Sequence, residues 1–209
     1  MQQHGTMTFL ETILEEILRI FKAEGIEANS EADIIRKLDI RPTTYQELFS
    51  GKADMVKQVA RFDMEQQRRE HDRFLATAQS PIEEIMLLLQ DGINNIKQTS
   101  PLYIMDLQRH YPEVWQLALD HLNSYSYHQI SGIINNGILQ NLFRRDINIQ
   151  LVTKIILEQL PMMLNPAIFP PDKYNLGEVF RSIYLYYVRG ICTDSGGKMA
   201  EEFFSKHNI

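Results

Sequence analysis

Several things are scarce in this sequence, and each scarcity excludes something. One cysteine among 209 residues, Cys192, leaves no internal disulfide and no cysteine-rich metal site. It lies in an apolar helical stretch, where a buried inert thiol is the expected reading over a reactive one. No apolar run approaches the length of a membrane span; Ile85 to Leu89 is typical of the longest. The start, Met1 to Met7, is polar and lacks the charged-then-apolar build of a signal peptide. A soluble chain in a reducing, cytoplasmic setting is the expectation, with no membrane partner. Sustained strand alternation, repeats and low-complexity tracts are missing too. So are a glycine-rich phosphate loop, a Gly-x-Ser-x-Gly turn and a His-Glu-x-x-His pair, which leaves no catalytic residue or cofactor to name and argues against an enzyme. His110, His121 and His128 share no helical face with a carboxylate or thiol, so no metal site is expected. Positive charge is short: 21 bases against 27 acids give a net charge of -6, which excludes a surface coated in basic groups but leaves room for a local patch.

What the sequence does have is helical periodicity. Leu10, Ile13, Leu14, Ile17, Leu18 and Phe21 recur at steps of three and four, and Gly25 ends that helix. Ser30 with Asp33 forms a capping-box start for a short helix bearing Ile34, Ile35 and Leu38. Pro42 suits the first turn of a third, through Phe49, and Ser50-Gly51 breaks it. A helix, a short helix, a tight turn and another short helix over residues 9–51 match a helix-turn-helix, and equally many other three-helix clusters. Further helices are expected from Lys52 to about Thr77, from Pro81 to about Lys97, from Pro101, from Pro112 to about Asn136, from about Asn148 to Leu164, and from Leu176 to Ile191. Ser195-Gly196-Gly197 is expected to end the last of these, with a short terminal helix around Phe203 and Phe204. The fold class is all-α.

Specific residues then carry a resemblance. Gly25 to Ile34 is similar to the turn and second-helix start of TetR-family regulators. Leu38-Asp39-Ile40-Arg41 falls where that family has Ala-Gly-Val-Ser, and Phe49-Ser50-Gly51-Lys52-Ala53-Asp54-Met55 matches its Phe-x-Ser-Lys-Glu-x-Leu ending. Gly137-Ile138 through Ile147 resembles the loop before its first dimerisation helix, and Phe180 to Thr193 its last long helix. The resemblance implies an N-terminal helix-turn-helix DNA-binding domain, residues 1–52, and a helical ligand-binding and dimerisation domain, residues 53–209. It implies a homodimer that binds DNA as a repressor and is released by a small-molecule effector. The alternative is a module of the same fold, binding a small molecule or a protein, whose DNA binding is weakened or lost.

The candidate DNA contacts are Ser30, Arg41, Thr43, Thr44, Tyr45, Gln46 and Lys52. Arg41 can take a guanine edge or a phosphate, the threonines a base or a thymine methyl, and Gln46 an adenine. Lys52 matches the lysine that in this family supports a phosphate contact, and Ser30 or Asn29 offers another at a helix start. Six positions depart from the family pattern, among them Asp39 for the turn's glycine, Leu48 for a frequent histidine or tyrosine and Ala32 for a frequent basic residue. Tyr45 stands where an apolar residue is usual, Gln46 where a phosphate-contacting tyrosine is usual, and Glu31 replaces an apolar residue. Up to Lys52 there are nine acids and six bases, a net of -3, which implies weak and salt-dependent DNA binding or specificity resting on few contacts.

For the effector, Tyr103, Met105, His110, Trp115, Tyr125 and His128 supply amphipathic surface that suits a mostly apolar pocket, and suits ordinary core packing as well. For the dimer, the helix over about 148–164 is apolar along two lines: Val152, Ile156, Leu160 and Met163, then Leu151 and Ile155. The helix over 176–191 is similarly two-sided, with Tyr186 beside its main stripe. Two such helices from each chain make a four-helix interface about a two-fold axis.

Overall fold

A computed structural model describes residues 7–207. The polar start falls almost wholly outside that range. Among the described residues there are eleven α-helices and no strand. No described helix is long and apolar enough to cross a membrane.

Two compact units divide the chain. One comprises residues 1–69 with 99–118, the other residues 70–98 with 119–209. Packing therefore does not follow the expected boundary after residue 52: a second, distant stretch joins the N-terminal helices, and the helix that begins at Lys52 crosses from one unit to the other.

The first unit starts with α1 (Phe9–Glu24), whose Thr8 hydroxyl accepts from the Glu11 N–H while the Glu11 carboxylate accepts from the Thr8 N–H. This reciprocal cap satisfies two donors that a helix start leaves orphaned. Gly25 ends α1 at φ 89°, and a β-carbon there would stand 3.0 Å from Leu102 Cβ, so glycine serves both the turn and the close approach of Leu102. Then come α2 (Glu31–Lys37), α3 (Pro42–Leu48), α4 (Lys52–Leu75), α6 (Pro101–His110) and α7 (Pro112–His121). Ile17, Phe21, Ile26, Ile34, Phe49, Met55 and Val56 form the core together with Tyr103, Leu107 and Val114. Each such side chain taken wholly out of water contributes about 1.5–3 kcal/mol, so α6 and α7 are structural members of this unit.

The second unit is built on α5 (Pro81–Gln98), against which α8 (Tyr127–Leu139), α10 (Leu176–Ile191) and α11 (Asp194–His207) pack, with α9 (Ile149–Met163) against α8 and α10. Two hydroxyls lace α10 to α9: Tyr184 donates to the Ile156 carbonyl at 2.8 Å and Tyr187 to the Val152 carbonyl at 3.3 Å.

Two expectations need correction. The single helix expected from Pro112 to about Asn136 is interrupted by a π-helical turn, Leu122–Ser126, a wider turn that periodicity at 3.6 does not register. And Ser195-Gly196-Gly197 is not a break. α10 stops at Ile191, Cys192 turns extended and bridges Phe143, and the glycines lie inside α11. The Thr193 side chain caps α11 by accepting from the Gly196 N–H at 3.2 Å.

Candidate nucleic-acid interface

The α2–turn–α3 pair is held from beneath by Ile34, Tyr45 and Phe49, all buried. The Ser30–Asp33 capping box is formed in both directions. Asp39 takes the glycine's place in the turn at φ 51°, a left-handed conformation that Asp tolerates better than most residues. Arg41 is the N-cap of α3 and Pro42 its first residue. With 100° between successive residues, Thr43, Gln46 and Glu47 share the outer face of α3, and all three are exposed; Arg41 is exposed beside them and Thr44 is half-buried at the flank.

Tyr45 is a correction. It is 2 % exposed and packs on Phe49 with ring centroids 5.3 Å apart, so it serves the core, where the ungapped resemblance puts an apolar residue. Burial, then the carboxylates of Glu31 and Asp54, push its phenol pKa well up, and its hydroxyl has no hydrogen-bond partner among the described residues. Asn29 is likewise buried: its amide donates to the Gly25 carbonyl and its oxygen accepts from Lys37 Nζ. Glu47, which sequence reasoning passed over, shares the outer face with Gln46.

The expected phosphate contacts are engaged within the chain. The Ser30 hydroxyl and N–H both face the Asp33 carboxylate. The Lys52 ammonium lies 2.9 Å from Glu27 Oε1, and the Lys52 N–H donates to Glu31 Oε1 at 2.9 Å. Glu27 also accepts from the Tyr111 hydroxyl at 2.8 Å; the Lys52 and Tyr111 bonds hold its carboxyl below the usual range. Asp106 accepts from the N–H groups of Ile26 and Glu27, tying α6 to the turn before α2. Arg19, Lys22, Arg36 and Lys37 pair with Glu16, Asp63, Asp33 and Glu24. Of the six bases in residues 1–52, Arg41 alone makes no ion pair with a described residue.

No protein-family model and no curated protein matches the chain. Solved structures do. A TetR-family regulator from Agrobacterium tumefaciens superposes with a TM-score of 0.69 at 14% identity, over 88% of this chain and 97% of that one. A transcriptional regulator from Saccharomonospora viridis, solved in complex with choline, gives 0.70 at 16% identity, over 88% and 97%. The fatty acid degradation regulator FadR from Bacillus halodurans gives 0.66 at 12% identity, over 88% and 96%. The chain has the TetR-family fold.

On this TetR-like fold the six expected effector residues are divided between the two units. Tyr103, Met105, His110 and Trp115 belong to the first unit, Tyr125 and His128 to the second. Tyr103 is buried in the first unit's core and Trp115 packs against it, while His110 and His128 are exposed. The Tyr125 hydroxyl donates to Asp72 at 3.2 Å and accepts from Gln129 at 2.9 Å. Sequence periodicity passed over three buried polar atoms of the second unit that have no hydrogen-bond partner among the described residues: His71 Nδ1, Thr153 Oγ1 and Gln159 Oε1. Unsatisfied buried polar atoms are uncommon and mark places where a ligand's own polar group gains most. A surface groove of about 280 Å³ in the second unit is lined by Gln90, Lys97, Glu178, Arg181 and His207, and by none of the expected effector residues. Among the described residues no group of three or more His, Cys, Asp or Glu is placed to hold a metal ion.

The two-sided helices of the TetR-like fold present one side each. On α9, Ile156 and Met163 are buried while Leu151, Ile155 and Met162 are exposed, and on α10 Tyr186 is 68 % exposed.

Proposed function

We propose that this chain is a homodimeric, effector-responsive transcriptional regulator that binds DNA through α3, acting as a repressor released by a small molecule. One observation carries the reading: Arg41, Thr43 and Gln46 stand outward on a helix whose other side, Tyr45 and Phe49, is sunk in the core. Those side chains have the hydrogen-bonding groups that read guanine, thymine and adenine edges in a major groove. Thr44 flanks the contact, and Glu47 can accept from a cytosine amine. The fold's likeness to known regulators supports the reading. So do Leu151, Ile155, Met162 and Tyr186, an apolar surface that a two-fold partner would cover and that would set two recognition helices about 34–36 Å apart. An effector that binds one arrangement of the dimer better than the other shifts the population away from the DNA-competent form. Thr153 and Gln159, with Tyr125 and His128, are the proposed polar anchors for it in the second unit.

The test is binding of the dimer to duplex DNA from the flank of its own gene, in a series from low to physiological salt. Arg41→Ala and Gln46→Ala are expected to weaken it, each by about 1–3 kcal/mol if the contact is to a base. A folded dimer that binds no duplex at low salt would count against the reading.

A second reading has its own observation. Because five of the six bases in residues 1–52 are paired internally, the same fold serves equally as a small-molecule or protein interaction module without DNA binding. It predicts that Arg41→Ala and Lys52→Ala change nothing.

A further inference from the structure

The place where the DNA-binding reading needs a phosphate is already filled. A helix start offers backbone N–H groups without partners and the positive end of the helix dipole, and a phosphate oxygen satisfies both. At the start of α4 a carboxylate does so instead: Glu31 Oε1 accepts from the Lys52 N–H at 2.9 Å. The Lys52 ammonium, the mobile charge of the same site, is taken by Glu27 Oε1 at 2.9 Å. Glu27 is not a loose surface acid. The Tyr111 hydroxyl donates to its Oε1, and Asp106 fixes its backbone by accepting from the N–H groups of Ile26 and Glu27 at 2.8 and 2.9 Å.

We infer that Glu27 and Glu31 are built-in phosphate substitutes, an autoinhibitory pair that DNA must displace from Lys52 and from the start of α4. The inference rests on the DNA-binding reading for its consequence, but the occupied site is a property of the chain by itself. A charged carboxylate bonds to an N–H about twice as strongly as a neutral acceptor does, so the displacement opposes binding until the charge is removed. Glu31→Gln keeps an acceptor of the same shape and removes the charge. Glu27→Gln frees the Lys52 ammonium and can still accept from Tyr111.

Two measurements on the full chain test this. The first follows the Lys52 amide resonance of 15N-labelled protein as sodium sulfate is added at constant ionic strength. It is expected to stay still in the wild type and to shift saturably in Glu31→Gln. The second is binding of a mixed-sequence duplex by fluorescence anisotropy across salt concentration. The Glu27→Gln/Glu31→Gln double variant is expected to bind roughly ten-fold tighter than wild type, with a log–log salt slope steeper by about one, the signature of one more neutralised phosphate. Duplex bound alike by wild type and double variant, with no sulfate captured by Glu31→Gln, overturns the inference and leaves the DNA-binding reading standing. Sulfate captured by Glu31→Gln while no form binds duplex overturns the DNA-binding reading and leaves Glu31 as the occupant of the site. Should Glu31→Gln melt before it is measured, Glu27→Gln alone keeps the test: no gain in duplex affinity there overturns the Glu27 half.

Discussion

The carbonyl oxygen of Leu142 lies 2.1 Å from where a β-carbon on Gly196 would stand, so α11 meets the loop after α8 with room for a hydrogen and nothing larger. The Thr193 hydroxyl fixes the same corner, its one proton shared between the carbonyls of Asn141 and Leu142 at 2.9 and 3.1 Å. Backbone cannot retreat as a flexible side chain can. Gly196→Ala is therefore expected to destabilise the second unit by about 1–3 kcal/mol, the usual cost of overpacking. Gly197→Ala, where a β-carbon meets nothing within 4 Å, is expected to be neutral or slightly stabilising in mid-helix. Thermal melts of the two variants decide it: equal melting points would remove the close approach as the reason for the glycine.

Tyr45→Phe tests the corrected place of Tyr45. Deleting a buried hydroxyl that has no partner removes a desolvation cost, so stability is expected to hold or rise by about 0.5–1 kcal/mol. Duplex binding is expected to stay at the wild-type level. A clear loss of either in denaturant titration or anisotropy would return the hydroxyl to a bonding role.

Acid should loosen the first unit. The Lys52 and Tyr111 bonds hold the Glu27 carboxyl below its ordinary value, and hydrogen bonds hold Glu11, Glu24, Asp33 and Asp54 low as well. For a depressed carboxyl the stabilisation is complete above its unfolded pKa, about 4.3 for Glu, and disappears as pH falls through the folded value. Between Glu27→Gln and wild type, the stability gap is accordingly expected to be widest near neutral pH and to close as pH falls through the lowered folded value. A gap independent of pH would mean the ion pair contributes nothing.

Leu151→Glu with Tyr186→Glu tests the dimer. Both side chains are exposed in a single chain, at 57 % and 68 %, so charge there leaves the protomer's own core untouched. The double variant is expected to sediment as a folded monomer and the wild type as a dimer. A monomeric wild type, or a dimeric variant, would move the interface elsewhere or abolish it.

Much of the fold was legible one residue at a time. The α1 stripe, the Ser30–Asp33 box, the left-handed Asp39 and the Pro42 start of α3 are local signals: each depends on spacing, caps or allowed dihedrals within one turn of helix. So was the two-sidedness of α9, because a second apolar line needs a second surface wherever it packs. The effector residues were not legible. Tyr103 and Trp115 have the composition of a pocket wall, and only the docking of α6 and α7 into the first unit's core shows that they fill it.

The sequence by itself determined the helical class, the caps of α1 to α3, and the acidic balance of residues 1–52, since these follow from neighbours along the chain. Tertiary structure alone decided what those charges do. Glu27, Glu31 and Lys52 are separated by up to 25 positions, and Tyr111 by 84 from Glu27, so no periodicity links them. Folding brings two carboxylates onto one ammonium and one helix start, and turns a count of nine acids against six bases into a specific set of pairs. It also makes Gly196 a point of contact where the sequence suggests a break, because a missing β-carbon permits close packing as readily as it permits a turn.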